Sequence, residues 1–187
     1  GLHKDDYICA LSRLTEEKGI HYLIEAYQNV KTDKKLVIAG DTSDTDDYVM
    51  KLKKLAGNNP NIIFTGFVSG KLLEEIYSNA YVYVLPSKLE GMPLSLLEAM
   101  SYGNCVIGSD IAEIADVVED KAILFKKANV EDLKEKLQMV CDDVELVEKY
   151  KSEASGYICG RYNWEDVVNR TVEVYRGNHP KKFVRLP

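Results

Sequence analysis

No CxxC pair occurs in this chain. Its four cysteines, Cys9, Cys105, Cys141 and Cys159, are scattered, which leaves zinc-ribbon and dithiol redox chemistry without a basis. Cys9 and Cys105 fall within apolar strand candidates and read as small core residues. A reduced, cytosolic setting is expected. Histidine is also scarce: His3 and His179 stand near the ends, and His21 is expected to face solvent. No apolar run approaches the roughly 18 residues a membrane-spanning helix requires, and no secretory leader pattern opens the chain. Gly1 is not a start methionine, so the chain is expected to be cut from something longer. With a formal net charge of −6 there is no basic field, and neither nucleic acid nor an acidic membrane surface is an expected partner. Repeats and low-complexity tracts are absent too.

What is present is an ordinary globular composition, 45% hydrophobic and 29% charged over 187 residues. A chain of that length buries roughly 70% of its extended surface and needs no metal or disulfide to complete a core. Strand and helix signals alternate along it. Strands are expected at 7–11, 36–39, 61–65, 82–85, 105–108 and 122–125. Helices are expected at 20–30, 44–55, 69–79, 93–103, 111–118, 130–140, 144–155 and 164–175, with Ser69 as an N-cap. The strands are unbroken apolar runs rather than alternating ones, as parallel strands are when helices cover both faces. The fold class is therefore α/β, a doubly wound six-stranded parallel sheet with extra C-terminal helices. Residues 1–177 are expected to form one domain and 178–187 a tail. Such a sheet has the order 3-2-1-4-5-6, and ligands enter at the carboxyl ends of strands 1 and 4, where the order reverses. The loops meeting there are 12–19 and 86–93.

The second of these loops leads into the most informative stretch, residues 86–103. Pro86 and Ser87 end a strand, Glu90 and Gly91 make a turn, and Pro93 stands where a helix begins. Leu94, Leu97 and Met100 read as core residues, and Gly103 is a stop. The free N–H groups and positive dipole end of this helix suit a phosphate. Glu90 and Glu98 flank it and would repel an anion unless they hold something else; sugar hydroxyls are natural donors to them. Arg13 and Lys18 stand on the opposite wall.

Three segments together resemble the family 4 glycosyltransferases, of the two-domain GT-B type. Ser12 to Gly19 is similar to that family's phosphate loop, Gly40-Asp41 to its turn after strand 2, and Glu90 to Met100 to its paired-glutamate signature. The match runs in register from about residue 5 to residue 175. It implies the Rossmann-like, nucleotide-sugar-binding half of a retaining, metal-independent enzyme. That enzyme would transfer a hexose from a UDP-, GDP- or ADP-sugar to a glycan or lipid-linked acceptor. Carried over residue by residue, Arg13 and Lys18 contact the donor diphosphate and act with Glu90 as the catalytic groups. Glu98 holds the ribose hydroxyls. Glu90, Gly91, Met92, Leu94 and Ser95 address the sugar and phosphate, Gly40 lines the site, and Phe67 and Val68 offer backbone contacts to the base. The nucleotide-sugar is a co-substrate, and no cofactor or metal is implied. The acceptor half would precede residue 1, leaving this piece able to bind donor but not to transfer sugar. The full-length protein would be cytoplasmic or peripheral to a membrane that this half does not touch.

The chain departs from the family's pattern at three points. Ser12 replaces a glycine, Pro93 lacks an N–H so that phosphate amides fall to Leu94 and Ser95, and the paired glycines common after Asp110 are missing. Asp44 to Asp47 contains a DxD, which elsewhere holds a metal, but a helix start favours acids through capping and dipole alone. Trp164 is expected to anchor the last helix to the body. The alternative reading is a non-catalytic nucleotide-binding or interaction module on the same fold. A dinucleotide-dependent dehydrogenase is disfavoured, because Ser12-Arg13-Leu14 follows the first strand and no GxGxxG opens the first helix.

Overall fold

The structure is a computed structural model and describes residues 2–41 and 47–178. Six parallel strands, β1 (Tyr7–Leu11), β2 (Lys35–Ala39), β3 (Ile62–Gly66), β4 (Val82–Leu85), β5 (Cys105–Ser109) and β6 (Ile123–Phe125), form one sheet in the order β3-β2-β1-β4-β5-β6. The apolar runs produce this because every strand has two faces to bury. Ile8, Ala10, Leu36, Ile38, Val82 and Val84 pack into one core, whereas Tyr7, Cys9, Val37, Ala39, Tyr83 and Leu85 pack into the other. Cys9 and Cys105 are fully buried, and burial alone pushes the Cys9 thiol up to about 12, so both act as small apolar groups.

The described residues form eight α-helices, of which the first seven pack on the sheet: α1 (Ile20–Tyr27), α2 (Asp47–Ala56), α3 (Gly70–Ser78), α4 (Leu94–Ser101), α5 (Ala112–Val118), α6 (Val130–Asp142), α7 (Val144–Arg161) and α8 (Trp164–Tyr175). Helices α1, α2 and α6 belong to the first core, and α3, α4, α5 and the C-terminal half of α7 to the second. Two helix ends differ from expectation for identifiable reasons. Helix α1 stops at Tyr27 rather than Val30, since Asn29 and Val30 turn back three residues, to Ala26 and Tyr27, and tighten the chain. Helix α7 runs on to Arg161 despite Gly156 and Gly160. Buried Ile158 and a 3.0 Å hydrogen bond from the Tyr157 hydroxyl to the Val117 carbonyl outweigh the helix propensity that the glycines cost. Ser69 is the N-cap residue of α3, but its side chain makes no capping hydrogen bond.

Helix α8 corrects a further expectation. Trp164 does not anchor it: the indole is 74% exposed, and no residue of α8 is buried. Residues 44–46 of the DxD segment and residues 179–187 of the tail lie outside the described residues, and Asp47 opens α2.

Candidate active site at the β1–β4 switch point

The crevice forms because two glycine-bearing loops come into backbone contact. Gly19 has a left-handed φ of +66°, and a Cβ placed on it would lie 2.1 Å from the Pro86 carbonyl oxygen. Lys88 N–H donates to the Glu17 carbonyl at 2.7 Å. Gly40, at φ +134°, brings the end of β2 against the Ser12 carbonyl, 1.8 Å from where a Cβ would stand. Only glycine tolerates both the dihedrals and the contacts.

Lys18 closes a short 3₁₀ turn, Glu16–Lys18, and reaches across the crevice to Glu90. Its ammonium donates to both carboxylate oxygens, at 2.8 and 2.9 Å. The Ser87 hydroxyl adds a 2.6 Å bond to Glu90 Oε1, and Ser109 Oγ in turn donates to the Ser87 carbonyl at 2.5 Å. Ser87, Glu90 and Ser109 are all buried. Glu90 is thus a carboxylate fixed from the ends of β4 and β5, not a mobile loop acid. An ammonium has three N–H groups, and Glu90 takes two of them, which leaves one for an anion. Arg13 lies on the same loop as Lys18 and is exposed. Its guanidinium has no hydrogen-bond partner among the described residues.

The N-terminus of α4 is built differently from the sequence expectation. Pro93 is not the first helical residue. With φ −79° and ψ 66° it centres an inverse γ-turn, in which Leu94 N–H donates to the Met92 carbonyl at 2.8 Å. Leu94 is therefore not the amide donor expected for a phosphate. Ser95 N–H has no acceptor among the described residues and is open to one. Nor is Leu94 a core residue: its side chain is exposed, as is Met92, while Leu97 is half-buried and Met100 fully buried. Gly91 is exposed with open space beside it.

Two tyrosines, Tyr77 on α3 and Tyr83 on β4, tie Glu98 and Ser95 to the core, and neither stood out in the sequence. The Tyr83 hydroxyl lies 3.0 Å from the Leu11 carbonyl and 2.9 Å from Ser95 Oγ. A carbonyl only accepts, so the phenol proton goes to Leu11 and Ser95 donates its own to the phenol oxygen. The Tyr77 hydroxyl lies 3.1 Å from Glu98 Oε2 and 3.2 Å from the Ser95 carbonyl. Burial, before the neighbouring charges, drives both phenols well above the usual tyrosine range and keeps them protonated donors. For Tyr83 the available signal was a tyrosine within an otherwise aliphatic buried strand, because a buried phenol must find a partner.

Phe67 and Val68 follow β3 at the same end of the sheet. Val68 is buried and Phe67 is 76% exposed. A cavity of about 870 Å³ lies between α4, α5, the end of α7 and α8. Its walls include Met92, Leu94, Glu98, Tyr162 and Trp164, but not Arg13, Lys18 or Glu90. No group of three or more His, Cys, Asp or Glu side chains among the described residues is arranged to hold a metal ion.

His21 follows the phosphate-type loop and is buried rather than solvent-facing. Its Nδ1 sits 2.7 Å from the Tyr48 hydroxyl, which joins α1 to α2. Desolvation first, then the charges of Lys51 and Lys88, holds the imidazole below its ordinary pKa, and Glu16 opposes this. The unfolded chain therefore takes up this proton first as pH falls, at about 6.5. The contribution of His21 to stability is complete above that value and is lost as pH falls through the lower folded-state pKa. Thermal unfolding of His21→Asn beside the parent between pH 7.5 and pH 5 is expected to show the parent losing more stability. Parallel curves would contradict this.

A doubly wound six-stranded parallel α/β sheet defines a Rossmann-like protein, and the loops at its switch point, after β1 and β4, carry the Lys18–Glu90 pair. The chain belongs to the glycosyl transferases group 1, whose family profile matches residues 2–157. It is 32% identical over 181 residues to an uncharacterised glycosyltransferase of Methanocaldococcus jannaschii, covering 94% of this chain and 46% of that protein. It is 25% identical over 181 residues to an alpha-D-kanosaminyltransferase of Streptomyces kanamyceticus, covering 94% and 47%. The structure of Anabaena HepE in complex with UDP and glucose superposes with a TM-score of 0.85 at 19% identity, over 93% of this chain and 49% of that one. A sucrose-phosphate synthase from Thermosynechococcus elongatus gives 0.83 at 23%, over 94% and 46%. At these identities the structural likeness is one of fold. The chain spans about half the length of the curated relatives it matches.

Proposed function

We propose that residues 1–177 are the donor-binding half of a retaining, metal-independent glycosyltransferase. It takes a UDP-, GDP- or ADP-hexose and works with an upstream half that binds a glycan or lipid-linked acceptor. The observation that carries this reading is the Lys18–Glu90 pair, locked across the crevice beside the open Ser95 N–H of α4. The third N–H of Lys18, the guanidinium of Arg13, the Ser95 amide and the α4 dipole receive the diphosphate. They stabilise the charge that grows on it as the sugar departs, which is where preorganised donors lower a barrier most. Glu90 and the backbone from Gly91 to Met92 face the sugar, Glu98 accepts from the ribose hydroxyls, Gly40 lets the β2 turn approach, and the backbone of Phe67 and Val68 meets the base. The UDP and glucose named in the HepE complexes support a nucleoside-diphosphate ligand for this fold. The full-length protein works in the cytoplasm or against its membrane, and this half alone binds donor without transferring sugar.

Titration calorimetry of the chain against UDP, GDP and ADP tests this reading. At least one is expected to bind with micromolar to millimolar affinity, and Glu98→Ala is expected to weaken it about tenfold, the worth of a charge-assisted hydrogen bond. Silence with all three would overturn the proposal.

A further inference from the structure

Glu98 has an unusual environment for an exposed helical acid. One oxygen, Oε2, is held by the hydroxyl of Tyr77, which is itself 1% exposed. Oε1 has no hydrogen-bond partner among the described residues. The tyrosine is itself held in place. Tyr102 stacks on its ring at 5.5 Å and 13°, and Tyr83 packs against it at 5.9 Å and 47°. Asn104 donates to the Tyr77 backbone carbonyl at 2.9 Å. The single phenol proton has two acceptors in range, the Ser95 carbonyl and the Glu98 carboxylate, and the charged one binds it more strongly. Without this tether a glutamate on an exposed face samples many rotamers and loses that freedom when it binds.

We infer that Tyr77 is the positioning residue for Glu98. It clamps one carboxylate oxygen to the core so that the other is presented, already oriented, to a vicinal pair of ligand hydroxyls. This rests on the proposed donor-binding function and deepens it, because it makes recognition of the ribose diol depend on a buried residue that does not touch the ligand. The geometry needs the phenol to remain a donor. Burial, reinforced by the Tyr83 and Glu98 charges, keeps its pKa far above the tyrosine range, so the clamp holds at any working pH.

The test compares Tyr77→Phe, which keeps the ring and its stack, with the parent. The probes are the tightest-binding of UDP, GDP and ADP and the 2′,3′-dideoxy analogue of that nucleotide. The parent is expected to prefer the ribonucleotide. Tyr77→Phe is expected to lose about tenfold in affinity for it while binding the dideoxy analogue as the parent does. In a Glu98→Gln background, Tyr77→Phe is expected to have no further effect on this preference. A merely structural role predicts equal losses for both nucleotides, and that result, or an undiminished preference, would overturn the inference alone. If the parent binds none of the three nucleotides, the donor-binding function and this inference fall together.

Discussion

Replacing Lys18 with methionine is expected to remove nucleoside-diphosphate binding and to destabilise the fold at once. The two losses have different causes, and a second substitution separates them. The Lys18 and Glu90 side chains are only 16% and 6% exposed, so removing the cation strands a buried carboxylate with the Ser87 hydroxyl as its remaining donor. Breaking a buried pair in this way costs about 3 kcal/mol. For a chain of this length that lowers the unfolding midpoint by roughly 6–12 °C. Lys18→Met combined with Glu90→Gln leaves no stranded charge and is expected to recover most of that loss. It does not restore the phosphate contact, so affinity is expected to stay down by about 10- to 100-fold, the worth of a hydrogen bond to a charged group. Thermal unfolding and calorimetry on the three proteins read the two effects independently. Recovery of both in the double variant would mean that Lys18 serves only to neutralise Glu90.

An even larger structural effect is expected from Gly40→Ala. At φ +134° an L-residue is strained whatever space surrounds it, and here the new methyl carbon would meet the Ser12 carbonyl oxygen at 1.8 Å. Gly40 N–H also donates to the Gly66 carbonyl at 2.9 Å, and Ser12 N–H to the Ala39 carbonyl at 3.1 Å, so neither strand end withdraws freely. Strain and overpacking together are expected to cost about 3 kcal/mol or more. The phosphate-type loop is expected to be pushed out of register with α4, so nucleotide binding falls beyond what the loss of stability explains. Gly91→Ala is the matched control. Gly91 lies within the candidate site but has no positive φ, and nothing stands within 4 Å of its added carbon. Its variant is expected to unfold within about 0.5 kcal/mol of the parent. Chemical denaturation of both variants checks the contrast, and equal effects would contradict it.

The sheet was legible because the strands are unbroken apolar runs spaced by helical patterns, and strand order follows from parallel topology once six such runs are present. The same inference located the two loops at the switch point. The contact between Lys18 and Glu90, 72 residues apart, was not legible, since nothing in either loop says that one neutralises the other. The inverse γ-turn at Pro93 was missed because proline at a helix start usually occupies the first helical position. Tyr77 and Tyr83 were hidden by their settings: both lie where apolar side chains are expected, and only their hydroxyls distinguish them from core phenylalanines. His21 was misplaced on the surface because helical spacing alone does not show that α2 lies against α1. The Trp164 helix reads as an ordinary amphipathic segment, yet among the described residues no side chain buries any of its positions. Periodicity reports that a helix has an apolar face but not what covers it.

The central claim is that two loops and one helix N-terminus form a single receptor for a nucleoside diphosphate. The most direct measurement is an amide ¹⁵N–¹H spectrum of the chain as UDP, GDP or ADP is added. Receptor formation predicts that the largest shifts cluster at Lys18, Gly19, Gly91, Ser95 and Glu98, drawn from both sides of the crevice. Shifts confined to the residues between α5 and α8 that line the cavity beside α8, with those amides unmoved, would contradict it.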